Sequence, residues 1–138
     1  NRIFHRLQTA GISHFYLNSF HLAQKIEAAA QQLSAATTIV REPILRSSGG
    51  GVANFRNALQ NKDFILHNCD IYSEEPLQTL IDFHAEQQAI CTLMTVNYPL
   101  INSLHCQGGH IQKFGKPQSG NATYAGIAVF SPKIWNYM

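Results

Sequence analysis

The stretch TTIVREPILRSSGGGVANFRNAL, residues 37–59, carries the strongest indication of the fold. Its first part, TTIVRE, is rich in β-branched residues and predicts a buried strand. Its last part, VANFRNAL, places Val52, Phe55 and Leu59 on one side of a helix. Three consecutive glycines, Gly49–Gly51, stand directly in front of that predicted helix. A strand, a glycine-rich turn and a helix in this order are typical of an α/β fold.

Elements of the same alternating kind continue on both sides of this stretch. Upstream, NRIFHRLQTAG predicts a helix that starts at Asn1 and ends at Gly11, ISHFYLNS a strand, and FHLAQKIEAAAQQL an amphipathic helix. Downstream, DFILHN and AICTLMTV predict buried strands, with the helix EPLQTLIDFHAEQQ between them. A hairpin with its turn at QGG, a last strand ATYAGIAVF and a helix after Ser131 complete the order. We therefore expect a Rossmann-like α/β fold, with a mostly parallel sheet, helices on both faces and a small β-hairpin insertion.

Composition excludes several classes of protein. The 138 residues are 45% hydrophobic, enough for a core, and suit one domain. The formal charge of +2 is spread along the chain without a run of Lys or Arg, so we expect no nucleic-acid partner. No apolar run approaches the roughly 18 residues of a transmembrane helix, and the first residues lack the pattern of a signal peptide, so we expect no membrane association.

The cysteines and histidines indicate where the protein works. Cys69, Cys91 and Cys106 are odd in number and lack C-x-x-C spacing, which favours reduced thiols and a cytoplasmic location. The seven histidines are scattered, with no pair at zinc-binding spacing.

Two places satisfy the rule that ligands of open α/β sheets bind outside the carboxyl ends of the strands. The first is the glycine segment, where bare backbone lets a base or phosphate come close. It matches neither G-x-G-x-x-G nor the P-loop, and a loose surface turn is the alternative interpretation. The second is FILHNCDIYSE, in which Asp70 follows a buried strand. Asp70 is either a solvated loop acid or a ligand of Mg²⁺, which prefers carboxylate and phosphate oxygens.

Taken together, the two places resemble the sugar-1-phosphate nucleotidylyltransferases, enzymes of GT-A-like fold. REPILRSSGGGVANFRNAL is similar to the family's base-binding loop, and FILHNCDIYSE to its strand that ends at a metal-binding acid. ATYAGIAVFSPKIW resembles the sugar-side strand, and FGKP, residues 114–117, is similar to a family motif with a lysine. The triple glycine is most similar to the branch of N-acetylmuramate-1-phosphate uridylyltransferases and mannose- or heptose-1-phosphate guanylyltransferases.

The resemblance implies that a nucleotidyl group passes from a nucleoside triphosphate to a sugar-1-phosphate, with pyrophosphate as the second product and Mg²⁺ as cofactor. The residues that it assigns are the following: Glu42, Ser48, Gly49, Gly50 and Gly51 for the nucleotide, Asp70 for the metal, and Lys116, Ala125 and Gly126 for the sugar. Catalytic residues stay unassigned. It also implies that Gly50→Val weakens nucleotide binding and leaves the fold largely intact.

The sequence lacks parts of the family pattern, and these differences lead to expectations about the extent of the domain and its assembly. No G-x-G-x-R…P-K-P loop precedes the first helix, so we expect residues 1–138 to be a single nucleotidyltransferase-like domain, a fragment that lacks this loop and the C-terminal part. The sheet edge that such a fragment exposes favours homo-oligomers. Two alternatives stay open. One is a non-catalytic nucleotide-binding or regulatory relative. The other is a GT-A glycosyltransferase, although no D-x-D pair stands at Asp70.

Overall fold

The structure, a computed structural model, describes residues 2–138 and divides into two compact units. The first unit comprises the chain up to Lys62 together with Pro132–Met138, and the second comprises Asp63–Ser131. No helix of residues 2–138 is long and apolar enough to cross a membrane. Cys69, Cys91 and Cys106 are all free thiols.

The first unit consists of helices around a two-stranded parallel sheet. In chain order its elements are α1 (Arg2–Thr9), β1 (His14–Ser19), α2 (Ala23–Ala30), β2 (Ala36–Arg41), α3 (Ser48–Ala53), α4 (Arg56–Leu59) and a 3₁₀ helix (Pro132–Asn136). The predicted stop of α1 is confirmed: the N–H of Gly11 donates to the carbonyl of Gln8 at 2.9 Å, and that of Ile12 to Leu7 at 3.0 Å. The predicted start at Asn1 lies outside the described residues.

Helical segments pack on both faces of the β1–β2 sheet. Neighbouring residues of a strand point to opposite faces. Phe15 contacts the ring of Phe4 in α1, with ring centroids 5.1 Å apart. Tyr16 contacts Phe55, between α3 and α4, with centroids 5.2 Å apart. In this unit the expected parallel pairing and two-sided cover are therefore both present.

Two helix starts of the first unit differ from the sequence-based expectation. The helix α3 begins at Ser48, so Gly49–Gly51 lie inside the helix instead of forming a loop in front of it. The segment then breaks at Asn54 and Phe55 before α4. The helix α2 begins at Ala23, because Leu22 has a left-handed backbone (φ 55°) and is 53% exposed.

The second unit consists of a three-stranded sheet, one helix and a hairpin. Its elements are β3 (Phe64–His67), α5 (Leu77–Gln87), β4 (Cys91–Val96), β5 (Leu104–Gln107), β6 (His110–Phe114) and β7 (Thr123–Phe130). The strand order is β3-β7-β4, and β7 runs antiparallel to both neighbours. A strand that pairs in parallel with its neighbour needs a crossover connection, usually a helix. The segment before β7 is the β5–β6 hairpin and contains no such helix, so β7 pairs antiparallel. The α/β class is confirmed, with β7 as its antiparallel member.

Packing in the second unit centres on β7 and α5. Ile127 and Ala128 of β7 are fully buried. The buried His84 of α5 forms a 2.8 Å hydrogen bond, through its Nδ1, with Oγ1 of Thr92 in β4. The predicted hairpin is also confirmed: its turn, Gly108–Gly109, has positive φ at both residues, as type I′ turns require.

Candidate functional site

The glycine segment of the first unit changes from exposed to buried along its length. Ser48 and Gly49 are exposed, Gly50 is half-buried and Gly51 is buried. A Cβ on Gly49 would make only an ordinary contact, 3.6 Å from Cε of Met138. Ser48 and Gly49 are therefore the two members of the segment that are accessible from outside.

A Cβ at either of the other glycines would collide with a neighbour. On Gly51 it would lie 2.6 Å from Nδ2 of Asn18, which is closer than real Cβ contacts occur. On Gly50 it would lie 2.8 Å from Cβ of Arg46. The variant Gly50→Val would therefore displace the segment that contains Arg46, so a loss of binding in it would not separate fold from function.

Glu42 lies at the base of this segment, immediately after β2. It is only 7% exposed, and its Oε1 accepts a hydrogen bond from Nδ2 of Asn54 at 2.9 Å. Its Oε2 faces the backbone N–H of Arg46 at 3.5 Å, and its own N–H donates to the carbonyl of Ser19 at 2.8 Å. The carboxylate thus joins the end of β2 to the residue that follows α3.

Asn18 and Asn54 are polar residues of this region that the sequence analysis did not select. The same Nδ2 of Asn54 that donates to Glu42 also donates to Oδ1 of Asn18 at 3.1 Å. Asn18 is the last residue but one of β1, close to the carboxyl end of the strand. Ligands of open α/β sheets bind at this end of the strands, so the rule that points to Glu42 after β2 points to Asn18 as well. That rule, applied to β1, would have found it.

Asp70 lies in the second unit, in the turn after β3. Its side chain is exposed, and no group of three or more His, Cys, Asp or Glu residues within residues 2–138 could hold a metal ion. The turn is fastened to β7, because the N–H of Asn68 donates to the carbonyl of Gly126 at 2.9 Å. Asp70 is therefore an exposed carboxylate on a turn that is hydrogen-bonded to the sheet.

Ala125 and Gly126 lie at a bulge in β7. Leu93 pairs with Ala128 and Thr95 with Tyr124, so residues 125–127 of β7 stand opposite the single residue Met94. Bulges of this kind redirect side chains and occur often beside binding sites. Gly126 has φ +82°, and a Cβ there would lie 2.7 Å from Cγ1 of Ile71, so both backbone and space require glycine.

The bulge borders a cavity of about 860 Å³ in the second unit. Its lining includes apolar and aromatic side chains from β4, α5 and the β3–α5 segment, among them Ile71, Leu80, Phe83, Met94 and Tyr124. Burial, and then the charge of Cys91, raises the pKa of the Tyr124 phenol. Both Ala125 and Gly126 line this cavity.

Lys116 is exposed, in the loop after β6 of the second unit. Its carbonyl accepts hydrogen bonds from the N–H of Ser119 at 3.1 Å and from the Ser119 hydroxyl at 2.7 Å. Lys116 is not among the residues that line the cavity. Of the three predicted sugar-binding residues, Ala125 and Gly126 line the cavity, and Lys116 lies in an exposed loop of the same unit.

Comparisons with known proteins point to one group. No protein-family profile matches the chain. Over 94 residues, 66% of this chain, it is 32% identical to a mannose-1-phosphate guanylyltransferase of Mycobacterium tuberculosis (strain ATCC 25618 / H37Rv). That alignment spans 26% of the relative's length.

Similar solved structures share the fold. HddC from Yersinia pseudotuberculosis superposes with a TM-score of 0.79 at 18% identity, over 99% of this chain and 64% of that one. A putative glucose-1-phosphate thymidylyltransferase from Bacillus anthracis gives 0.81 at 10% identity, over 97% and 58%. A UDP-glucose pyrophosphorylase complexed with UDP-glucose gives 0.78 at 12% identity, over 97% and 64%.

The chain thus spans about a quarter of the curated relative and less than two thirds of these structures. The shared fold extends over nearly all of residues 1–138, and the sequence identity covers about two thirds of them. On these two findings together, the chain shares the fold of sugar-1-phosphate nucleotidylyltransferases and is similar in sequence to one of them.

Proposed function

We propose that the full-length protein transfers a nucleotidyl group from a nucleoside triphosphate to a sugar-1-phosphate. The observation that carries this proposal is the sequence identity to a mannose-1-phosphate guanylyltransferase. The glycine segment of the first unit and the cavity beside Ala125 and Gly126 in the second unit support it. The same relative and the triple glycine favour the guanylyl- and uridylyltransferase branch.

In this reaction a phosphate oxygen of the sugar-1-phosphate attacks the α-phosphorus of the triphosphate. A new P–O bond forms, the bond between the α-phosphorus and the bridging oxygen breaks, and pyrophosphate leaves with the electron pair. Such transfers depend on positioning and on neutralising the phosphate charge, with little covalent work by the protein.

The nucleotide-binding role falls to the segment from Glu42 to Gly51. The backbone at Ser48 and Gly49 is exposed, so a base can approach it there. The Ser48 hydroxyl is available at the same place to contact the base edge or the ribose. Glu42, hydrogen-bonded to Asn54, and Gly51, buried against Asn18, hold this exposed backbone in position.

The sugar-binding role falls to the second unit. Ala125 and Gly126 line the cavity, and its aromatic and aliphatic side chains suit the C–H faces of a sugar ring. Lys116, an exposed cation, is the residue that we assign to the sugar phosphate.

Asp70 is the proposed Mg²⁺ ligand. Its exposed carboxylate offers hard oxygens, and Mg²⁺ is commonly bound by one or two carboxylates together with substrate phosphates. A single protein acid fits this manner of binding, whereas a site made only of protein ligands would need more donors than residues 2–138 group together. When bound, Mg²⁺ neutralises phosphate charge. The free cysteines support a cytoplasmic setting for the reaction.

Calorimetric titration of the full-length protein tests this function. Each nucleoside triphosphate is added with Mg²⁺ to the wild type, Asp70→Ala and Asp63→Ala. Asp63 is the matched control, because it is exposed and precedes β3, whereas Asp70 follows it. We expect saturable binding of one nucleotide that is lost in Asp70→Ala and retained in Asp63→Ala, and pyrophosphate release once mannose-1-phosphate or another sugar-1-phosphate is supplied. If no nucleoside triphosphate binds, the proposal is contradicted. If one binds but no pyrophosphate is released with any sugar-1-phosphate, the result favours a regulatory relative.

A further inference from the structure

Three side chains of the first unit form a directional chain of hydrogen bonds, which we call the amide relay: Glu42, Asn54 and Asn18. Glu42 starts it. Its carboxylate is more than nine-tenths buried and, when ionised, can only accept hydrogen bonds. Its Oε1 lies 2.9 Å from Nδ2 of Asn54, so this atom of Asn54 must be the donor.

The carboxylate thereby fixes the orientation of both amides. An Asn side chain has two N–H donors on Nδ2 and an acceptor on Oδ1, and its orientation is set by its partners. One hydrogen of Asn54 goes to Glu42, and the other goes to the Asn18 side chain at 3.1 Å. The Asn18 atom that receives it must be Oδ1. Asn18 therefore turns Nδ2, its donor end, away from Asn54.

That donor end points to the glycine segment. The Nδ2 of Asn18 is only 2.6 Å from where a Cβ on Gly51 would stand. Within residues 2–138 the Asn18 Nδ2 donates no hydrogen bond, and Asn18 is exposed, so a ligand can reach it. It also lies near the carboxyl end of β1, where its parallel partner in β2 is Val40. A donor without an acceptor, next to the proposed nucleotide segment, is suited to a ligand acceptor.

We propose that Asn18 determines base specificity by donating a hydrogen bond to a keto oxygen of the base. This inference rests on the proposed nucleotide-binding role of the segment. Guanine O6 and uracil or thymine O4 are acceptors, whereas adenine N6 and cytosine N4 at the corresponding positions are donors. Because the relay leaves Asn18 with a donor alone, it favours keto bases and opposes amino bases. We expect keto nucleotides to bind about ten- to a hundred-fold more tightly, which is the effect of one mismatched hydrogen bond once the bound base covers the exposed Asn18 donor.

The test compares affinities for GTP, UTP and dTTP with those for ATP and CTP, all with Mg²⁺, on the full-length protein. The variant Asn18→Asp keeps an oxygen for Asn54 and exchanges the free donor for an acceptor. We expect the keto-to-amino affinity ratio to fall about ten-fold or more. The control Asn57→Asp adds the same charge on the exposed side of α4, outside the relay, and should leave the ratio unchanged. If Asn18→Asp fails to fold, Asn18→Ala replaces it and should lower the affinity for keto nucleotides only.

A second variant tests the relay itself. In Glu42→Gln the buried acceptor becomes an amide that can also donate, so the direction of the relay is no longer fixed. Whatever the change in overall affinity, we expect the keto-to-amino ratio of affinities to move toward one. A wild type that binds all five nucleotides equally, or an Asn18→Asp variant that weakens all five equally, would overturn this inference and leave the proposed function standing. A wild type that binds none would overturn both.

Discussion

Gly51 and Gly49, two residues apart in the same helix, should respond in opposite ways to the same substitution. Alanine at Gly51 would bring a Cβ to 2.6 Å from Nδ2 of Asn18, whereas alanine at Gly49 would meet only Cε of Met138 at 3.6 Å. Neither glycine has a positive φ, so alanine fits the backbone at both positions. The pair therefore isolates the cost of the close approach between α3 and β1.

The expected magnitudes follow from two effects. Replacing a helical glycine by alanine stabilises a protein by about 0.5–1 kcal/mol. We expect Gly49→Ala to gain about that amount. At Gly51 the gain is opposed by overpacking, which costs about 1–3 kcal/mol. The net change at Gly51 is then between about zero and 2.5 kcal/mol of destabilisation. The difference between the two variants is about 1–3 kcal/mol, because the helix contribution cancels.

Urea unfolding followed by circular dichroism measures both free energies. A double-mutant cycle completes the test: in an Asn18→Ala background the obstacle is gone, so Gly51→Ala should become as favourable as Gly49→Ala. Equal free energies of unfolding for the two single variants, or a coupling between positions 18 and 51 below about 0.5 kcal/mol, would refute the argument from close approach.

Two further predictions concern the second unit. Gly126→Ala forces a side chain onto φ +82° and to 2.7 Å from Ile71 Cγ1, so urea unfolding should show a loss of at least about 2 kcal/mol, and a variant of wild-type stability would contradict this. Burial raises the pKa of the Cys91 thiol from 9.0 to about 11. The stability that the buried neutral thiol contributes is therefore complete below pH 9 and is lost as the pH rises through about 11. Unfolding measurements from pH 8 upward should detect this decline in the free energy of unfolding. The variant Cys91→Ala should lack this part of the decline.

The order and type of the elements could be predicted from the sequence because apolar periodicity reports which side chains are buried. Phe15 and Tyr16 alternate between two helix-covered faces, as a strand requires. Two features could not be predicted this way. Glycine has the weakest helix propensity of ordinary residues, yet Gly49–Gly51 are helical because local contacts override propensity. The direction of β7 depends on the path of the preceding hairpin, which apolar periodicity does not encode.

The candidate site was predictable where one short motif contained it. Gly126 and its neighbour stand in a single strand, and the structure places both beside the cavity. The amide relay could not be predicted from a short motif, because Asn54 is 36 positions from Asn18 and 12 positions from Glu42 along the chain. An asparagine late in a strand has many explanations when read alone, and only the parallel pairing of β1 with β2 brings Asn18 beside Asn54 and Glu42.

The three glycines therefore have different reasons to lack a side chain. Gly51 is required by the amide of Asn18, and Gly50 by Cβ of Arg46, so the fold itself accounts for both. Gly49 is the remaining case, since an alanine there would meet only ordinary contact and would strengthen the helix. No neighbouring atom within residues 2–138 requires glycine at this position, although glycine costs helix stability. We therefore explain Gly49 by the close approach of a bound nucleotide to its backbone. Gly49→Ala should then raise the free energy of unfolding and lower nucleotide affinity in the same protein. If it raises stability and leaves affinity unchanged, the base does not approach this backbone, and the nucleotide-binding assignment of Gly49 fails.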